Sequence, residues 1–170
     1  MTNLKTNRLT ICPLTLADAP FIVTLLNDPD WLRYIGDKGV RTVDDARTYL
    51  SNGPLTSYAQ FGYGLWLVKL RTNGDSLGMC GLINRPGLAD VDLGFAFLPQ
   101  FRGQGYGFEA AQAVLQHGQT ELGLSRIVAI TLPENTASIK LLEKLGLRFE
   151  KTINLPNDDE PLQLFSLDTV

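Results

Sequence analysis

The sequence predicts a mixed α/β (α+β) fold, with a central mixed sheet of about seven strands, an antiparallel meander within it and about four helices. Three observations carry this. Apolar residues recur at helical spacing between Thr15 and Asn52 and at strand spacing between Leu65 and Leu98. Thr72-Asn-Gly-Asp75 lies between two strand-like runs, and Asn-Gly accepts positive φ cheaply, which marks a hairpin. Between Val91 and Leu132 a strand passes through a glycine-rich turn into a helix and then into another strand.

Taken in order, Arg8 to Cys12 reads as a short strand stopped by Pro13. Thr15-Leu-Ala-Asp18 has the spacing of a capping box, and Phe21, Ile22, Leu25 and Leu26 follow on one helical face until Asn-Asp-Pro-Asp at 27–30. Thr42-Val-Asp-Asp45 repeats the capping signal for a second helix, ended by Asn52-Gly53-Pro54. Between the two, the stretch 31–41 reads as an irregular loop carrying Trp31 and Tyr34. Leu65 to Leu70, Leu77 to Ile83 and Val91 to Leu98 form the meander. A helix with Ala110, Ala111, Val114, Leu115 and Leu122 near one face follows the glycines. Ser125 to Leu132 is an apolar, β-branched strand of the buried kind. Asn135 to Leu145 is a helix capped by Gly146, and Phe149 to Leu155 and Leu162 to Leu167 close the chain as strands.

A chain of 170 residues without repeats or linkers is expected to form a single domain over residues 1–170. Hydrophobic residues at 44% and charged residues at 19% exclude a disordered chain. A net charge of −3 argues against nucleic acid or an anionic membrane as partner. No apolar run is long enough to span a bilayer, and the N-terminal residues lack the pattern of a signal peptide. Cys12, Cys80 and the single His117 form no metal-ligand cluster, so no metal and a reduced, cytoplasmic setting are expected.

The stretch Leu98 to Ala111, LPQFRGQGYGFEAA, places glycine at 103, 105 and 107 where a helix begins. The first N–H groups of a helix have no partner within it, and the peptide dipoles add partial positive charge there. A phosphate suits such a corner. Glycines remove the Cβ atoms that would hold it away, and Arg102 can add a charge-assisted contact. A tight turn is the competing explanation, but it needs fewer glycines. A P-loop is excluded because Tyr106-Gly107-Phe108 replaces Lys-Ser/Thr. A dinucleotide fingerprint fits poorly, because the third glycine falls at 107 and antiparallel strands precede it.

What remains is Arg-x-x-Gly-x-Gly, here Arg102, Gly105 and Gly107. With TNRLTICPLTLADA, VDLGFAFLPQFRGQGYGFEA and NTASIKLLEKLGLRFE, the chain resembles the GNAT N-acetyltransferases over nearly its full length, and within them the RimJ/RimL type that acetylates ribosomal-protein alanine. The resemblance implies that the fourth and fifth strands, Val91–Leu98 and Ser125–Leu132, are parallel and splayed. It implies acetyl-CoA as co-substrate, with the pantetheine arm pairing near Phe97 and Leu98. The pyrophosphate would rest on Arg102, Gly103, Gln104, Gly105, Tyr106 and Gly107. The reaction implied is transfer of the acetyl group to a primary amine, a protein N-terminus or a small molecule, by direct attack in a ternary complex.

Such a transfer requires a base for the amine, a donor for the oxyanion and support for the departing thiolate. A backbone N–H near Leu98 is the expected oxyanion donor. Asp92 matches the strand position of a family carboxylate and is the candidate base; a hairpin-end carboxylate facing solvent is the other reading. Ser138 matches a serine that supports the thiolate in the RimL-type group. Leu142 stands where many relatives place a tyrosine acid, so a catalytically inactive CoA- or nucleotide-binding sensor stays open as the alternative.

Asn135 can contact coenzyme A, cap its helix, or both. Glu109 is read as a first-turn acid, His117 as solvated and Cys80 as a small core residue. Trp31 and Tyr34 belong either to the core or to the acceptor pocket. The acceptor's identity, and the choice between monomer and homodimer, are not encoded in any of these motifs.

Overall fold

A computed structural model of the chain describes residues 3–169. Eight strands form one mixed sheet. They are β1 (Leu4–Lys5), β2 (Leu9–Pro13), β3 (Leu65–Leu70), β4 (Ser76–Ile83), β5 (Val91–Phe97), β6 (Arg126–Thr131), β7 (Arg148–Ile153) and β8 (Leu162–Asp168). The helices are α1 (Ala19–Leu26), α2 (Pro29–Tyr34), α3 (Val43–Leu50), α4 (Thr56–Phe61), α5 (Tyr106–Thr120) and α6 (Thr136–Lys144). The short β1 is one strand more than the sequence predicts. It is a two-residue edge paired to β2.

Strand order across the sheet is β1-β2-β3-β4-β5-β6-β8-β7. Strands β1 to β5 pair antiparallel in sequence order, so the expected meander is present. The expected parallel pair is β5 with β6. Its register covers only Val91↔Ile127 and Asp92↔Val128. Beyond Asp92 the two strands part, and β6 continues paired only to β8 on its other side. That parting creates the wedge in which the site lies.

Alternation along the strands divides the core between two faces. Val68, Leu77, Leu93 and Phe97 pack against Ala110, Ala111 and Val114 of α5. Leu67, Met79 and Leu98 pack against Ile22, Leu25 and Leu26 of α1 and Ala46 and Leu50 of α3. The capping box at Thr42 forms as read: Asp45 N donates to Thr42 Oγ1 at 3.0 Å and Thr42 N donates to the Asp45 carboxylate at 3.1 Å. At Thr15 the same signal first opens a single 3₁₀ turn, Leu16–Asp18, and α1 follows with Pro20 in its first turn.

Two local expectations are corrected. The stretch 31–41 is not wholly irregular, because α2 occupies its first residues. Asp28 caps that helix by accepting from Trp31 N at 3.3 Å, and Pro29 takes the first helical position, where a missing N–H costs nothing. Asn52-Gly53-Pro54 does not end the helical segment. A π-turn at Ser51–Leu55 carries the chain past Pro54 into α4. Thr56 Oγ1 donates to Ser51 O at 2.6 Å, so a carbonyl at the irregular turn keeps a partner.

Candidate functional site

A cleft of about 1230 Å³ follows the parting of β5 and β6. Its lining draws on the residues around the start of α5, the first turn of α6, α2, α4, and Asn84 and Arg85 of the loop 84–90 between β4 and β5. The glycine stretch, Asn135, Ser138 and Asp92, far apart in sequence, therefore share one cavity.

The three glycines serve different ends. Gly103 and Gly105 adopt φ of +72° and +84°, the left-handed region where side chains are strained. Around Gly103 nothing lies within 4 Å of where a Cβ would be, and at Gly105 only the Arg8 guanidinium is near, at 3.2 Å. Open space thus sits over a turn that points N–H groups outward. The first bond of α5 runs from Glu109 N to Gly105 O, so the amides of Tyr106, Gly107 and Phe108 precede it and have no partner in the helix. Gly107 lacks a positive φ, and a Cβ there would meet Leu141 at 3.3 Å and Phe97 at 3.6 Å. Its lack of a side chain lets α5 approach α6 and β5. Free amides, helix dipole and open space together fit the diphosphate of coenzyme A.

Arg102 departs from expectation. Its Nε donates to Phe97 O at 2.9 Å, and its terminal nitrogens are held by Asp28 and Asp30. The guanidinium is committed to the capping carboxylate of α2, not turned to the phosphate corner. The cation that does stand at that corner is Arg8, which the sequence reading passed over. Arg8 donates to Gln104 O at 3.0 Å and to the Glu109 carboxylate at 3.2 Å, and lies 4.3 Å over the Tyr106 ring. Gln104 Nε2 is turned back to Gln100 O at 2.9 Å.

The backbone of β5 departs from the expected geometry at Leu98. Leu98 N already donates to Leu77 O at 2.9 Å on the β4 side, so it does not face the wedge. Alternation then turns Phe97 toward the open side, in keeping with its carbonyl accepting from Arg102. At the start of α6, Asn135 Oδ1 accepts from Ser138 N at 3.3 Å, so the expected cap is real. The Ser138 hydroxyl has no partner among the described residues and lines the cleft. Leu142, on the next turn, is buried in the core.

Asp92 does not face solvent: it is 1% exposed. Oδ2 accepts from Arg85 Nε at 2.9 Å, whereas Oδ1 is buried without a hydrogen-bond partner. Burial pushes its pKa up from 3.8 to about 6, against the charge and hydrogen bond of Arg85 and the nearby Ile130 amide. A carboxylate so placed is half-ionised near the pH where a general base works well. Trp31 is 5% exposed and its Nε1 is likewise buried without a partner. Both residues line the cleft, and unpaired buried polar atoms of this kind mark places where water or ligand completes the bonding.

Tyr34 also lines the cleft, half-buried, with Arg33 over its ring at 4.7 Å. His117 is not simply solvated; it is half-buried with its ring edge-on to Trp66, centroids 5.6 Å apart. Cys80 is fully buried and its thiol pKa is pushed up by burial, as suits a core residue.

Residues 8–148 match the acetyltransferase (GNAT) domain family, and the chain belongs to that family. It is 30% identical over 148 residues to the uncharacterized N-acetyltransferase YnaD of Bacillus subtilis (strain 168), covering 87% of this chain and 84% of the relative. A GNAT-family acetyltransferase structure from Bacillus anthracis superposes with a TM-score of 0.81 at 28% identity, over 98% of both chains. The fold is also shared with RimL, a ribosomal alpha-N-protein acetyltransferase in complex with coenzyme A. That structure has a TM-score of 0.82 at 15% identity, over 98% of both chains.

Proposed function

We propose that this protein transfers the acetyl group of acetyl-CoA to a primary amine by direct attack within a ternary complex. The observation that carries the proposal is the continuity of one cleft from the free amides at the start of α5, through the β5–β6 wedge, to the buried carboxylate of Asp92. The amides of Gly103 to Gly107 and the neighbouring Arg8 hold the pyrophosphate, and the open edge of β5 pairs with the pantetheine arm. Asp92 takes the amine proton, through water where the amine is not in direct reach. The amine nitrogen bonds to the thioester carbonyl carbon while Phe97 N–H stabilises the oxyanion. When the tetrahedral carbon collapses, the C–S bond breaks and the Ser138 hydroxyl donates to the departing sulfur. That charge exists only as the bond breaks, so Ser138 favours the transition state over the bound substrate.

The acceptor is either a protein N-terminal amine, as the RimJ/RimL resemblance suggests, or a small-molecule amine. Incubation with acetyl-CoA and a broad amine panel, read as release of free thiol, tests the assignment. Thiol release above the no-amine rate with at least one acceptor is expected. Coenzyme A binding without thiol release for any amine would leave a binding module instead of an enzyme.

A further inference from the structure

At the acceptor end of the cleft, the most buried acid and an underused cation form one unit. Arg85 lies in the loop 84–90 and commits only Nε, to Asp92 Oδ2. Its two Nη groups have no hydrogen-bond or ion-pair partner among the described residues, and its side chain keeps 31% exposure. Asp92 is nearly sealed and fixes the guanidinium from behind, so the free edge of Arg85 is left for the cavity that both residues line.

Of the other cations lining the same cavity, Arg102 is held by Asp28 and Asp30, and Arg33 and Lys144 lie over the rings of Tyr34 and Phe108. Lys38 comes from the loop between α2 and α3 and pairs with no carboxylate among the described residues. It is exposed, yet crowding by its neighbours and, second, the Arg85 charge lower its ammonium pKa. Two like charges held within each other's field have a cost that a bound anion removes. The other acids lining the cavity are Asp28 and Asp30, both held by Arg102, and Asp158 and Glu160, which are exposed, with Asp158 Oδ1 accepting from Glu160 N at 2.9 Å.

We infer that Arg85 and Lys38 form an anion subsite, and that the acceptor is an amine carrying a carboxylate a few bonds from its nitrogen. The free edge of a guanidinium matches a carboxylate in two parallel hydrogen bonds. Because Arg85 is anchored to Asp92, a carboxylate seated on its Nη groups brings its own amine to the Asp92 end of the cleft. Substrate class and base are thereby set by one ion pair. Free amino acids and peptides with an N-terminal acidic residue meet this description, whereas polyamines and amides do not. The inference rests on the acetyl-transfer reading.

Matched acceptors test it: amino acids against their amides, and aspartyl peptides against asparaginyl peptides, with kcat/KM measured for each. The protein should favour the acid of each pair at least about tenfold, although the amide has more free amine at neutral pH. Lys38→Glu should cut that ratio roughly tenfold, and Arg85→Gln should abolish it; a thermal melt checks that both variants fold. Equal or better use of the amides by the parent, or an unchanged ratio in both variants, would overturn the inference. If no amine is acetylated, the transfer reading fails by itself. The N-acetylated forms of the same pairs, titrated into the CoA-loaded protein, then still decide the subsite. Preferential binding of the acids that Lys38→Glu removes supports it, and equal binding refutes it.

Discussion

The two ends of the cleft are built from different material. At the α5 end the groups open to the cleft are backbone amides, set by two positive-φ glycines and a helix start within a few consecutive residues. At the other end they are side chains, Trp31, Lys38, Arg85 and Asp92, delivered by α2, two loops and a strand. A surface made of backbone suits a ligand common to a whole family. A surface made of side chains on loops can be changed residue by residue without disturbing the first. Substitutions at the two ends should therefore separate cofactor binding from acceptor use and chemistry.

The largest effect is expected at Asp92. Asp92→Asn should lower kcat/KM about 10³-fold at neutral pH, in the range of general-base removal, while coenzyme A affinity changes little. The parent's rate should climb through a pKa of about 6 as Asp92 ionises. The variant should lose that limb and recover in part at alkaline pH, where free amine is plentiful. Stability gives an independent check. The folded value lies above the unfolded 3.8, so the native state binds the extra proton. That contribution is fully present below 3.8 and lost as pH rises through about 6, a fall of up to about 3 kcal/mol. Urea melts across this window should show the fall in the parent and not in Asp92→Asn.

Gly105→Val strikes the opposite end. Left-handed backbone costs a branched residue about 1–2 kcal/mol, and its Cβ crowds Arg8 and the open space above the turn. Calorimetry should show coenzyme A affinity down about 10²-fold, with only a modest drop in melting temperature. An unchanged affinity would reduce the glycines to a turn. Ser138→Ala should lower kcat by about ten- to a hundredfold with the acetyl-CoA KM near the parent's. Full turnover would remove Ser138 from the mechanism.

Arg102→Ala is the subtlest test, because the residue belongs to the glycine stretch in sequence and to α2 in space. Loss of the guanidinium strands the buried Asp28 carboxylate, with a stability cost of about 2 kcal/mol after allowing for the exposed side of the pair. Steady-state kinetics should show the acceptor KM rising severalfold and coenzyme A binding nearly intact. The reverse pattern would return Arg102 to the phosphate corner.

The same contrast explains what the sequence could disclose. Capping boxes, the Asn-Gly hairpin and the glycine stretch are local signals, so the sheet, most helices and the α5 corner were legible. Asp28-Pro29 was also a local signal, but a helix stop and a helix start share those residues, and α2 was read as a loop. The acidic partners of Arg102 lie 72 and 74 residues away, and no spacing rule reaches that far. Asp92 had a trace in the sequence, a lone carboxylate between Val91 and Leu93 in an apolar strand. Its burial and its pairing with Arg85 depend on how β4, β5 and β6 close around it. Arg8 was invisible for the same reason, since only the sheet brings it to Gly105.

The most direct test of a backbone-built cofactor end is an amide-resolved NMR titration of the ¹⁵N-labelled protein with coenzyme A. The account predicts that the amides of Gly103, Gly105, Tyr106 and Gly107 shift most, with smaller changes at the 84–92 segment, and that NADH at the same concentration leaves them in place. Shifts confined to the 84–92 segment, or equal shifts at Gly103 to Gly107 with NADH, would contradict it.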